Sequence, residues 1–209
     1  ELVWRDRDHN INEVIDGTAH RSIISLVAKS FSLVLIASIM HLILMVMGIL
    51  YQTFNGYTNY EFTVYLNSFI TEGLVKYMIW AFVMVFIQVI VNQKYIAYGV
   101  SILTIFVLDI VLLIMKVETK MMQLGSTPSN IYSDMNGLGP GYEGHLWFLL
   151  YWSLFAFLAL AIAGLFWPRG KNNSLKDRFR SGRKSLGRSY AMIVGFIAIA
   201  WIAVASFVF

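Results

Sequence analysis

Apolar residues run almost unbroken through five stretches of this chain, at 23–50, 74–91, 96–115, 146–167 and 190–209, and most of the charge falls between them. A bilayer core of about 30 Å is crossed by roughly 20 helical residues, so each stretch predicts a membrane-spanning helix. Runs such as Leu33 to Ile36 and Phe155 to Ile162 lack the apolar–polar alternation of a membrane β-strand. The first stretch would extend about 42 Å as a helix, so its end near Ser22 to Lys29 is expected to protrude from the core. The pattern predicts an all-α, polytopic transmembrane helix bundle of about five spans.

Composition agrees with this pattern. The chain is 58% hydrophobic and 13% charged, with mean hydropathy +0.65. A soluble domain is about a quarter charged, so a solvated enzyme fold and an extended nucleic-acid surface are both excluded. The absence of cysteine removes disulfides, thiolate chemistry and Cys-ligated metals.

In a membrane chain the placement of Lys and Arg matters more than the net charge of +4. With a cytoplasmic N-terminus, the inner side holds Arg5, Arg7, Arg21, Lys29, Lys94 and the basic loop at 168–189, with Arg169, Lys171, Lys176, Arg178, Arg180, Arg183, Lys184 and Arg188. Only Lys76, Lys116 and Lys120 fall outside, each placed near a predicted span end from which it can snorkel. The connections 51–73 and 117–145 then lie outside, and Phe209 is extracytoplasmic. The expected location is the inner (plasma) membrane. Basic residues beside an anionic leaflet also make lipid an expected partner of the 168–189 loop.

Residues 1–21 are too polar to span. Ile11, Val14 and Ile15 share one helical face while Asn12, Glu13 and Asp16 occupy the other, which predicts a short amphipathic helix. Gly17 can end it and Ser22 can cap the long helix that follows. The 117–145 connection, with Gly125, Pro128, Gly137, Gly139, Pro140, Gly141 and Gly144, predicts a structured loop capping the bundle or offering a docking surface. Within the spans, Asp109 and His41 are the polar groups to explain. Asp109 predicts a helix–helix hydrogen bond or a neutral carboxyl; the alternative is a group lining a substrate path or paired with Lys76 or His41. His41, one turn from Ser38, predicts an interhelical hydrogen bond ahead of a proton relay.

No His-Glu-x-x-His motif and no phosphate-binding Gly-x-x-x-x-Gly-Lys-Ser/Thr loop occurs, and the four histidines are far apart in sequence. The chain itself is therefore expected to have no catalytic residues and to bind no metal or cofactor.

The order of features at the N-terminus, alternating charges at Arg5, Asp6, Arg7 and Asp8, then the Ile11/Val14/Ile15 face, Gly17-Thr18-Ala19, Arg21 and Lys29 at the foot of a long span, resembles the cytoplasmic coupling segment of type-2 ABC transporter permeases. The run Leu124-Gly125-Ser126-Thr127-Pro128 with Tyr132, Ser133, Asp134, Met135, Asn136 and Gly137 resembles the outer loop of bacterial fusions that join such spans to an extracytoplasmic zinc aminopeptidase. The opening Glu1-Leu2-Val3-Trp4-Arg5-Asp6-Arg7-Asp8, and Trp147 with Tyr151-Trp152, are similar to the same group. The resemblance implies a permease domain driven by ATP bound on a separate ABC ATPase, with Arg5, Arg7, Ile11, Glu13, Val14 and Ile15 at the ATPase contact. It also implies further spans or a second copy as partners, and no nucleic acid. The alternatives are the membrane anchor of a peptidase, or a scaffold bundle that transports nothing. Because the sequence opens on Glu1 and ends inside an apolar run, it is expected to be an excerpt of a longer protein.

Overall fold

The computed structural model of the protein describes residues 2–9, 11–17, 22–117, 119–133, 135–167 and 174–208. Its helices are α1 (Arg5–Asp8), α2 (Asn12–Gly17), α3 (Ser22–Phe54), α4 (Phe62–Ser68), a π-helical segment (Phe69–Val75), α5 (Lys76–Val91), α6 (Lys94–Ile114), α7 (Tyr142–Phe166) and α8 (Leu175–Val208). No strand forms among the described residues. Five helical stretches are long and apolar enough to cross a membrane: Ile23–Phe54, Phe62–Val91, Lys94–Ile114, Tyr142–Phe166 and Gly187–Val208. The chain is thus an all-α bundle and a multi-pass membrane protein.

Two boundaries differ from those the hydropathy suggests. The second span was expected at 74–91, but α4, the π segment and α5 continue into one another from Phe62 to Val91. Thr63, Asn67, Ser68, Thr71 and Glu72 interrupt the apolar run here without interrupting the helix. Two of these polar groups are satisfied locally: Thr71 Oγ1 donates to the Asn67 carbonyl at 2.9 Å, and Glu72 pairs with Lys76 one turn on. Lys76 is accordingly not at a span end but well inside this helix. In addition, most of the expected loop at 168–189 is helical from Leu175, and α8 breaks at Gly187, whose φ of 72° lies in the left-handed region. Residues 175–186 therefore form an arm set off from the span that follows.

α5 and α7 make the centre. Ile79, Phe82, Val83, Val85 and Val89 of α5 meet Leu149, Trp152, Ala156, Leu160 and Ala163 of α7 in the buried core. Lipid is as apolar as leucine, so burial by itself gives little drive to helix association in a membrane. Close van der Waals contact and interhelical hydrogen bonds do more. The alanines at 156, 159 and 163 are buried at this seam and allow the close approach. Phe82 is held edge-on between Phe31 of α3 and Phe157 of α7, with centroids 5.5 and 5.3 Å away. α8 joins through Trp201, stacked on Tyr151 at 5.7 Å, and through the Tyr190 hydroxyl, which donates to the Ala161 carbonyl at 2.7 Å. The outward faces of α3, α6 and α8 carry Leu35, Leu44, Phe106, Leu113, Phe196 and Ile199, all exposed, as suits contact with acyl chains.

The arm at 175–186 packs directly on the end of α7. A Cβ at Gly182 would fall 2.1 Å from the Leu165 carbonyl oxygen, so only glycine fits against that backbone. Phe179 lies 5.5 Å from Phe166 beside it. Gly182→Ala is expected to cost about 1–3 kcal/mol by overpacking and to lower the melting temperature in detergent. Hydrogen exchange of 160–166 and 175–182 should rise together, and an unchanged melting temperature with unchanged exchange would contradict this contact.

Candidate functional site

The polar interactions of the bundle gather at its two ends, and the richer set lies at the end that carries the N-terminus. There the last turn of α5 receives contacts from three other parts of the chain. Gln88 accepts a hydrogen bond from the Trp4 indole at 2.6 Å and donates to Ser101 of α6 at 3.0 Å. Asn92, in the left-handed conformation at φ 52°, ends the helix and accepts from Arg7 at 2.7 Å. The Val89 carbonyl accepts from Arg178 at 2.5 Å.

Residues 4–8 are fastened on both sides of this turn. Asp6 pairs with Lys29 of α3 at 2.6 Å, and Asp8 pairs with Lys94 of α6 at 2.5 Å. Trp4 is 6% exposed, and the Arg7 guanidinium lies 5.1 Å from its ring centroid. The alternating charges at 5–8 thus resolve into an order: Asp6, Arg7 and Asp8 each bond a different helix, and Arg5 is exposed.

Arg178 is 1% exposed although it sits in the basic stretch. Its Nη2 donates to Val89 of α5 and to the Phe166 carbonyl that ends α7. Both acceptors lack an intrahelical partner, so one nitrogen caps two helices. Burial first, and the charge of Arg7 second, pull the guanidinium down from 12.5 to about 10, which leaves it charged at neutral pH. Lys29, 5.7 Å from the Trp167 ring centroid, adds a further tie between α3 and the end of α7.

The opposite end is organised by the π segment. Glu72 reaches Lys76 on its own helix, and its other oxygen lies 3.3 Å from Nε2 of the fully buried His145 on α7. His145 Nδ1 is 3.2 Å from the Pro128 carbonyl, and Tyr142 donates to Asn67 at 2.6 Å. The loop before α7 is drawn down onto the bundle by these contacts. Trp152 donates to the Ser126 carbonyl at 3.1 Å, and Gly125 presses on Trp80. At the other edge of the π segment Gly73 packs against His41, whose Nδ1 is 3.1 Å from the Tyr77 hydroxyl. A Cβ at Gly73 would stand 2.8 Å from that imidazole, so the glycine admits the ring. π-helical turns are rare and recur at functional positions, which makes this cluster a second candidate site.

The residues singled out from sequence fall unevenly on this geometry. Arg7 was expected to face an ATPase but is turned inward to Asn92 and Trp4, because a guanidinium beside an indole and an amide has partners at hand. Ile11 and Val14 are 48% and 70% exposed, and Ile15 is intermediate. His41 makes an interhelical contact with Tyr77, and Lys76 is engaged by Glu72. The side chains of Asp109 and Glu13, and residue Asp134, lie outside the described residues. Ser133 and Gly137 close a tight turn through reciprocal backbone bonds of 2.9 and 2.7 Å, Asn136 N donates to Ser133 Oγ, and Met135 stands fully exposed at its tip. Tyr132 enters this turn half-buried.

Trp4, Gln88, Asn92, Arg178, Glu72 and His145 were not singled out by sequence. A signal existed for Arg178, which stands one helical turn before Gly182, the residue of the arm that lies against the α7 backbone. Trp4, a large aromatic directly before the charged run 5–8, was another. Among the described residues no cluster of three or more His, Cys, Asp or Glu could hold a metal ion.

Trp4→Ala should release residues 2–9 from the α5 end while the five spans stay assembled, since Trp4 fills a buried position but belongs to no span. Limited proteolysis within residues 5–17 is expected to accelerate by about tenfold or more, in keeping with several kcal/mol for truncating a buried Trp. Equal cleavage of variant and wild type would contradict the docking. No protein-family model, curated protein or solved structure matches the chain.

Proposed function

We propose that this chain is a transmembrane module of a type-2 ABC transporter permease, in which residues 1–17 couple a separate ATPase to the spans. The observation that carries the proposal is the two-part character of the N-terminal segment. Residues 4–8 are bonded to α3, α5 and α6, while soon after them Ile11, just before α2, and Val14, within it, are exposed. A partner that grips the apolar pair would pull on three helices at once. Because α5 is central and packs along α7, displacement of its last turn would be transmitted to the opposite end. Substrate passage would follow from the bundle shifting between two arrangements that ATPase closure biases.

In this reading the N-terminus is cytoplasmic, as the concentration of basic residues at 5–29, 94 and 169–188 favours, and the membrane is a bacterial inner membrane. Arg5, Ile11, Glu13, Val14 and Ile15 form the contact with the ATPase. Arg7 moves from that contact to the internal joint. ATP is bound and hydrolysed on the partner, since no phosphate-binding loop occurs in this sequence.

Copurification from native membranes tests this directly. An ABC ATPase should accompany the wild-type chain, and Ile11→Asp with Val14→Asp should reduce its recovery by about tenfold or more, the scale of losing an interface anchor. Both side chains are exposed, so the melting temperature of the isolated membrane domain should not change. Absence of an ATPase from the wild-type preparation, or its full recovery with the double variant, would overturn the proposal.

A further inference from the structure

Between the last turn of α6 and the loop that follows lies an open cavity of about 770 Å³. Leu113, Val117 and Leu124 form its apolar part, and Lys116, Lys120 and Gln123 its polar part. Two features aim the chain this way. Lys116 sits at φ 53°, an uncommon conformation for a residue with a side chain, and ends α6 by turning the backbone back. Lys120 Nζ then donates to the Thr127 carbonyl at 3.1 Å, which holds that ammonium at the rim with further N–H groups to offer.

The position of the cavity in the membrane is set by α6. Its 21 residues rise about 31 Å, the thickness of the hydrocarbon core, with little left over. Lys94 at its start is bonded to Asp8 at the N-terminal end of the bundle, so Lys116 stands at the opposite interface, at the depth of the phosphates. The flanking Leu113, Ile114 and Met115 are exposed at the edge of the core, where acyl chains begin.

We infer that this cavity binds an anionic phospholipid, with Lys116 and Lys120 on the phosphate and Leu113, Val117 and Leu124 along the first part of an acyl chain. Charge complementarity selects the occupant. Two ammonium groups meet one phosphodiester, and with Glu118 counted from the sequence the 116–120 stretch still carries net positive charge. A zwitterionic headgroup presents a cation of its own to the same lysines and gains less. The inference does not depend on the transporter reading.

Purified protein in nanodiscs, exposed in turn to photoactivatable phosphatidylglycerol and photoactivatable phosphatidylcholine, tests it through the peptide labelled. Phosphatidylglycerol should label residues 113–124 preferentially. Lys116→Gln with Lys120→Gln should lower that labelling by roughly tenfold or more while leaving phosphatidylcholine labelling unchanged, as expected for two basic residues withdrawn from an anionic headgroup. Leu113→Trp, which fills the apolar part and keeps both charges, should lower it as well. Equal labelling by the two lipids, or labelling insensitive to both variants, would overturn the inference. Displacement of phosphatidylglycerol by inorganic phosphate alone would show a site for a soluble anion and overturn it too.

Discussion

A single guanidinium ties together the ends of the two helices around which this bundle is built. α5 and α7 both finish at the same level, and each exposes carbonyls that its own helix cannot satisfy. Helix ends of this kind carry about half a negative charge apiece, so two of them side by side repel and together match one cation. Arg178 supplies that cation, bonded to Val89 and Phe166 and shielded from solvent. Its arm can reach the pair only because Gly182 lets the helix of 175–186 lie on the Leu165 backbone. Two peptide dipoles held in place by the α5–α7 core offset part of the cost of burying this charge, while Nε and Nη1 of Arg178 are buried without a hydrogen-bond partner among the described residues.

This cap fixes the last turn of α5, and the N-terminal segment uses the same turn as its dock. Gln88 and Asn92 flank Val89, so Trp4 and Arg7 bind on either side of the carbonyl that Arg178 holds. Arg7 and Arg178 are near enough for each to disfavour the other's charge, and Asp6 and Asp8 bond Lys29 and Lys94 around them. The opposite end is closed differently, by a loop drawn onto the π segment through His145, Trp152 and Gly125. α5 is continuous with both ends and is the natural path between them.

The apolar runs made the five spans legible, because membrane burial selects residue type at every position of a spanning helix. They misplaced the start of the second span by about three helical turns, since Asn67, Thr71 and Glu72 read as polar interruptions when each of them has a partner in or beside the helix. The basic stretch read as a loop for a related reason: charge density says where a segment sits relative to the bilayer, not whether it is helical. Which of eight similar basic residues is buried was beyond composition, and only the place of Arg178 one helical turn before Gly182 pointed to it. Ile11 and Val14 were readable as an exposed apolar face from spacing alone. The inward turn of Arg7 was not, because its partner Asn92 is distant in sequence.

The dependence of the dock on the double cap is the central claim, and hydrogen exchange in an Arg178→Gln variant measures it most directly. Glutamine retains a short donor but neither the charge nor the reach to both carbonyls. Exchange is predicted to rise together at 86–92, at 162–166 and at residues 4–8, although the hydrogen bonds of Arg178 run to α5 and α7. A rise confined to the arm at 175–182, with residues 4–8 as protected as in the wild type, would contradict the account.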